Sequence, residues 1–285
     1  MYLTPRSKLA ALFTFLSVVW ASEFVAVKVG LSASPPLIFA GLRYLLAGVA
    51  LLLPMIVRGY RPRNSRELLV PILLGVFATL EFGFLHYGMQ YLSGGTASIL
   101  FNTQPIMVAA LAVFVLKESF TWKKAVANLG GFLGMVLIFA ELSGGLAGFG
   151  GALVLLAAFS YSIFTIMFKK LIKTEDLLFI SAVILLTCSV FLLIASAFVP
   201  TTFSLVITPQ LVLIISYLAI VSSALGFIIY FHLLKTYDVT QVSPYQFLIP
   251  VFAVFLGWLF LGETVHLTEL MGILCVALGI YVLNR

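Results

Sequence analysis

The chain has 285 residues, of which 62% are hydrophobic and 9% charged, with a formal net charge of +6 and a mean hydropathy of +1.19. Soluble domains run near half apolar and a quarter charged, and even a large one leaves about a quarter of its unfolded surface exposed, so this composition excludes a soluble globular protein. It also excludes disorder, a coiled coil and a disulfide scaffold. The basic residues stand in short clusters between apolar runs, not in a nucleic-acid-binding patch.

A membrane crossing needs about 20 apolar residues. Cutting at charge clusters and turn residues gives an all-α integral membrane protein with ten spans: 9–29, 36–57, 68–88, 93–116, 123–140, 148–168, 177–199, 210–234, 240–261 and 267–284. The runs are too long and too solidly apolar for barrel strands, and a helix satisfies its own backbone groups in lipid. The first run follows Arg6 and Lys8 as a signal peptide would, but no small-residue cleavage site closes it, so it reads as an uncleaved span. With the N-terminus in the cytoplasm, 14 of the 16 Lys and Arg residues fall on inner segments, ending with Arg285, and only Lys28 and Arg43 lie within or beside spans. That asymmetry predicts ten spans with both termini cytoplasmic. Cys188 and Cys275 sit inside apolar runs and read as small buried hydrophobes.

Spans 1 to 3 carry Glu23, Arg43 and Glu81, each about 5–6 Å outward of its span's midpoint. An ionisable group there costs at least about 2.5–3.5 kcal/mol and needs a partner or a water-filled cavity. Lys28, about 13 Å out, can snorkel to the interface. Two acids against one base leave a surplus acid able to bind a substrate ammonium or exchange a proton for it. Either acid can partner Arg43; Glu81 is favoured as the substrate group. The alternative is a structural ion pair fixing the three helices, with the other acid in a solvated vestibule.

Trp20 shares a helix face with Glu23, and Tyr161 holds the matching place in span 6, each eight residues before a lysine (Lys28, Lys169). They predict an aromatic wall beside a carboxylate, suited to an aromatic or apolar amino acid, although ordinary core packing accounts for such a pair as well. Asn102, Gln104 and Pro105 lie at the centre of span 4; Pro244, Tyr245, Gln246 and Pro250 lie in span 9. A proline there frees a backbone carbonyl for polar neighbours or substrate and marks a hinge. Asn102 and Gln104, two residues apart, cannot share a helix face, so one should meet the cavity and the other a neighbouring helix. His86 and His232 fall near span ends and read as interfacial. Glu118 and Glu263 close spans 4 and 9 at opposite faces and read as gate or loop anchors. Gly130, Gly134, Gly272 and Gly279 predict close packing of spans 5 and 10, as scaffold or in a weak homodimer.

The chain repeats itself. The stretch SILFNTQPIMVAALAVFVLKES, from Ser98, aligns without gaps on SPYQFLIPVFAVFLGWLFLGET, from Ser243. Pro105 meets Pro250, Glu118 meets Glu263, and beyond them Ala127 meets Gly272 and Gly134 meets Gly279. Residues 1–145 and 146–285 thus form two five-helix repeats. Five is odd, so the second enters the membrane from the opposite side, and inverted repeats are an architecture of secondary transporters that expose a midplane site alternately. The halves differ in chemistry, since Glu81 aligns with Gly226.

These features resemble the drug/metabolite transporter superfamily and, within it, the EamA-type exporters. The resemblance lies in the prolines of spans 4 and 9, the Leu-x-Glu endings at Leu116–Glu118 and Leu261–Glu263, and the opening stretch from Trp20 to Lys28. It implies an inner-membrane exporter of small amphipathic metabolites, amino acids foremost. The residues themselves predict a cavity drawn from Trp20, Glu23, Arg43, Glu81, Asn102, Gln104, Tyr161, Tyr245 and Gln246 and hinges at Pro105, Pro244 and Pro250. A lipid or polyprenyl-sugar flippase and a passive channel share that architecture. An intramembrane enzyme fits poorly: His-Glu-x-x-His is absent, Asp176 and Asp238 lie in inner loops, and Ser93 before Gly94 stands near His86 only at the outer edge. No cofactor, metal or nucleic-acid partner is expected.

Overall fold

Every element among the described residues is helical, as a chain must be if it is to satisfy its backbone in lipid without closing a barrel. The computed structural model describes residues 5–92, 97, 100–138, 148–173, 176–199, 204–261 and 267–284. Ser93, Gly94, Ser98, Glu263, Arg285 and the boundary between 145 and 146 lie outside the described residues, as do the side chains of Arg6 and Lys28. The elements are α1 (Pro5–Gly30), α2 (Pro36–Val57), α3 (Ser65–Gly88), α4 (Gln104–Leu116), α5 (Trp122–Ile138), α6 (Gly148–Leu171), α7 (Leu177–Ser196), α8 (Pro209–Thr236), α9 and α10 (Leu267–Asn284). The ninth runs through Val239–Val242, a 3-10 turn at Ser243–Phe247 and Leu248–Leu261.

Seven of these helices are long and apolar enough to cross a membrane: α1, α2, α3, α6, α7, α8 and α9. The apolar stretches of α4 and α10 are shorter, and α5 has 17 residues. Large apolar side chains stand outward, among them Leu53, Ile56, Phe114 and Leu213. Such a surface suits a solvent of lipid tails.

Local chemistry fixes the helix starts. Asn64 caps α3 by accepting from the Glu67 amide at 3.0 Å, while the Glu67 carboxylate reaches back to the Arg63 amide at 2.7 Å. Asp176 accepts from the Leu178 and Phe179 amides at the start of α7, and Thr208 from the Leu211 amide at the start of α8. In α2 a proline takes the first helical position, where its missing N–H is no loss.

Span 4, expected as one helix from 93 to 116 with Pro105 at its break, is organised differently. Its helical backbone at Leu100 and Phe101 gives way to a turn at Asn102 and Thr103, and α4 starts afresh at Gln104. Pro105 therefore sits in the first turn of a new helix, where it costs no hydrogen bond, and the break precedes it. Span 9 does interrupt at its prolines, with Pro244 inside the 3-10 turn; Pro250 lies two residues into the α-helical stretch that follows.

The two halves of the sequence interleave. Helix α2 packs on α7, α3 on α6 and α7, α1 on α8 and α9, and α4 on α6. The glycine stripes of α5 and α10 face one another within the chain: a Cβ on Gly134 would lie 2.5 Å from the Gly272 carbonyl oxygen, and one on Gly279 would lie 3.1 Å from that of Ala127. The glycine faces are thus occupied internally, as the scaffold reading of the two stripes expects.

Candidate functional site

The charges of the first three helices meet at one pocket. Arg43, 2% exposed, grips Glu23 with two parallel bonds, Nη1 to Oε1 at 2.6 Å and Nη2 to Oε2 at 2.9 Å. Bidentate pairing of this kind is the strongest form of ion pair and holds both side chains in one plane. Arg43 Nε also donates to Ser223 Oγ at 2.8 Å, and Ser222 Oγ donates to Glu23 Oε2. Both serines lie in Leu218–Leu225 of α8, which is wound as a wider π-helix. A π segment displaces side chains from the regular α register, and here it brings two adjacent hydroxyls to the ion pair.

Glu81 takes no part in this network. It is 4% exposed, lines the pocket, and has no hydrogen-bond or ion-pair partner among the described residues. Below it the wall is aromatic. The Tyr161 and Tyr230 hydroxyls bond each other at 2.5 Å, Trp20 meets the Tyr230 ring edge-on at 5.4 Å, and Phe231 stacks on Phe168 at 4.1 Å to close the floor. Gly226 admits this wall, since a Cβ there would stand 3.1 Å from Trp20 Nε1. His86 completes the rim, buried, with Nδ1 on the Phe82 carbonyl at 2.8 Å and Nε2 without a partner. The pocket offers about 90 Å³ to the centre of a water molecule, roughly six to nine times what one buried water requires.

Of the residues expected at the site, Trp20, Glu23, Arg43, Glu81, Asn102, Gln104 and Tyr161 line this pocket together. Both amides face it, against the expectation that only one would, because the helix ends at Phe101 and the turn at Asn102 and Thr103 releases them from helical geometry. Tyr245 is a correction: it packs against the Phe13 ring at 5.8 Å, away from the lining. Gln246 stands behind the wall, donating to the Tyr161 hydroxyl at 3.1 Å and that of Tyr230 at 3.4 Å. His86, expected at an interface, is instead part of the wall. Ser222, Ser223, Gly226 and Tyr230 were not anticipated. The only trace of them in the sequence is the paired serine in an otherwise apolar stretch of α8.

About 20 Å along α4 from Gln104, a second polar cluster ties the helix ends together. Glu118 Oε1 accepts from the Val239 amide and Oε2 from the Thr240 amide, each at 2.9 Å, and the Thr240 hydroxyl adds a third bond at 2.8 Å. Lys124 Nζ donates to the Ser119 carbonyl at 2.8 Å and to Thr240 Oγ1 at 2.5 Å, and lies 3.4 Å from Asp238. Lys169 Nζ donates to the Leu234 and Tyr237 carbonyls at 2.6 and 2.8 Å. The ends of α4 and α6 and the start of α5 are thereby fastened to the turn between α8 and α9.

A helical bundle with an apolar exterior and a polar pocket among its helices defines a class of polytopic membrane transport proteins. The chain belongs to the EamA-like transporter family, whose sequence profile matches it twice, over residues 8–140 and 148–285. It is a membrane protein of the drug/metabolite transporter type, and its substrate is a small molecule. The chain is 30% identical to the "Uncharacterized transporter YoaV" of Bacillus subtilis, covering 93% of each. It is 31% identical to a "Probable amino-acid metabolite efflux pump" of Salmonella typhimurium, covering 93% of this chain and 91% of that one. A crystal structure at 16% identity superposes with a TM-score of 0.81 over 97% of this chain and 98% of the other, a likeness of fold.

Proposed function

We propose that the chain is a secondary exporter of small amphipathic metabolites, amino acids and related compounds, working by alternating access around the pocket. The observation that carries this reading is Glu81, a buried carboxyl facing the pocket with no partner among the described residues. A lone acid is costly in a membrane interior unless a ligand or proton answers it. Exchange of a proton for substrate at Glu81 would couple export to the proton gradient. Glu23, Arg43, Tyr44, His86, Cys188, Tyr161 and Tyr230 are the ionisable groups that line the pocket with it or lie beside it. The efflux-pump name borne by the Salmonella relative supports the direction and the substrate class.

The packing supports ten membrane crossings arranged as two inverted five-helix repeats. Exchanging α1–α5 with α6–α10 maps the main packing partners onto one another: α2 with α7 and α5 with α10 map onto themselves, α3–α6 onto α8–α1, α4–α6 onto α9–α1, and α3–α7 onto α8–α2. The family profile divides at the same place, leaving 141–147 between its two matches. In this reading the Glu118 cluster is the closed cytoplasmic gate, both termini are cytoplasmic, and the protein resides in the inner membrane.

Uptake into everted vesicles tests the proposal, with a panel of amino acids and their derivatives offered with and without a proton gradient. Saturable uptake that collapses with the gradient, and in Glu81→Gln, is expected. Glu81→Gln vesicles that transport at the native rate would remove Glu81 from the mechanism.

A further inference from the structure

Among the residues that line the pocket, the unpartnered polar groups are weighted towards acceptors. His86 Nδ1 lies 2.8 Å from the Phe82 carbonyl oxygen, which can only accept. The ring hydrogen is therefore on Nδ1, and buried Nε2 presents a bare lone pair. The Glu81 carboxyl has no partner among the described residues, and Gln104, whose Oε1 is unpartnered, can turn either end of its amide to a ligand.

The donors on the same wall are engaged. Arg43 commits Nε to Ser223 and both terminal nitrogens to Glu23, Trp20 Nε1 points to the Ser222 carbonyl at 3.4 Å, and the Tyr161 hydroxyl donates to that of Tyr230, which lies 3.3 Å from Thr165 Oγ1. Once Glu81 gives up its proton, Arg43 against Glu23 and Glu81 leaves one negative charge on the described lining, which a cation neutralises. Much of the remaining wall is aromatic, from Trp20, Phe82, Tyr161, Phe227 and Tyr230, and aromatic faces attract cations.

From this arrangement we infer that the pocket selects an organic cation, an ammonium group on an apolar or aromatic body with no free carboxylate, over the zwitterionic amino acid of the same side chain. Glu81 receives the ammonium hydrogens and the aromatic wall receives the body. A substrate carboxylate meets no uncommitted cation among the described lining residues. To bind it, Arg43 would have to release Glu23 and leave that acid buried and unpaired, an arrangement proteins avoid. The inference rests on the carrier reading only in taking this pocket as the place where substrate binds.

The test is equilibrium binding of radiolabelled phenethylamine to the purified full chain in detergent at neutral pH, competed by phenylalaninol, phenylalanine and 3-phenylpropionate. Phenethylamine and phenylalaninol should displace the label at similar concentrations, phenylalanine should need at least tenfold more, and phenylpropionate should not compete. Glu81→Gln should weaken amine binding at least tenfold, while Glu81→Asp retains part of it. Phenylalanine that competes as well as phenylalaninol overturns the inference, as does the absence of saturable amine binding. Glu81→Gln protein that stays monodisperse and binds amine like the native chain also overturns it. Should that variant not fold, the competition series on the native chain decides alone. Vesicle transport separates the two readings: amino-acid uptake without amine binding sinks the cation inference and leaves the carrier standing, whereas amine binding with no transport of any compound sinks the carrier.

Discussion

The pocket and the cluster at the far end of α4 both hold carboxylates inside the bundle, and they treat them differently. At the far end Glu118 is answered by two backbone amides and a hydroxyl, and Lys124 and Lys169 rest on carbonyls and on Thr240. In the pocket one acid, Glu23, is gripped as firmly, while Glu81, one helix away, is left open. A site that must hold closes every bond inside the protein. A site that must exchange a ligand leaves one bond for the ligand to make. The difference makes Arg43–Glu23 the fixed pair and leaves Glu81 as the group the proposed exchange would use.

The sharpest way to break this comparison is to open the gripped pair. Arg43→Ala strands Glu23 and should destabilise the protein by about 3–5 kcal/mol, read as a large fall in thermal unfolding temperature in detergent; Glu81→Gln should leave that temperature nearly unchanged. Equal stability losses in the two variants would erase the distinction. Next in size, Glu118→Ala removes three bonds to one carboxylate and should weaken the far-end closure by about 1.5–3 kcal/mol, measured as faster labelling of a cysteine placed at Val242, which is buried in the closed arrangement. No change in labelling would mean that the cluster closes nothing.

Gly134→Ala provides a reference outside both clusters. Its Cβ would press on the Gly272 carbonyl at 2.5 Å, and pushing α5 from α10 should cost about 1–3 kcal/mol without altering substrate preference in a competition assay. The smallest effect is expected of Tyr161→Phe, which removes one hydroxyl from the aromatic wall and should cost about 0.5–1.5 kcal/mol, visible as a several-fold weaker substrate affinity.

The layer of Glu23, Arg43 and Glu81 is legible in the sequence because charge inside an apolar span is expensive and cannot be accidental. Counting residues along three helices was enough to bring the three together. Ser222 and Ser223 give no comparable signal, since a serine in a helix can satisfy its hydroxyl on the carbonyl four residues back and carries little cost. Their role comes from the π winding of α8, a register change that apolar periodicity does not encode. The break before Gln104 was hidden in the same way: Pro105 suggests a kink at itself, whereas proline is at home in the first turn of a helix, and the unwinding falls on the residues before it. Tyr245 looked like a pocket residue only because it sits beside Gln246 and near two prolines; the 3-10 turn directs it onto Phe13.

The glycine seam between α5 and α10 has a practical consequence. No residue of either helix lines the pocket, and among the described residues the two meet each other as extensively as α2 meets α7. They form a keel that can be transplanted as a unit. A chimera carrying a relative's segments in place of 122–138 and 267–284 should therefore keep its own cargo, read in the same competition assay.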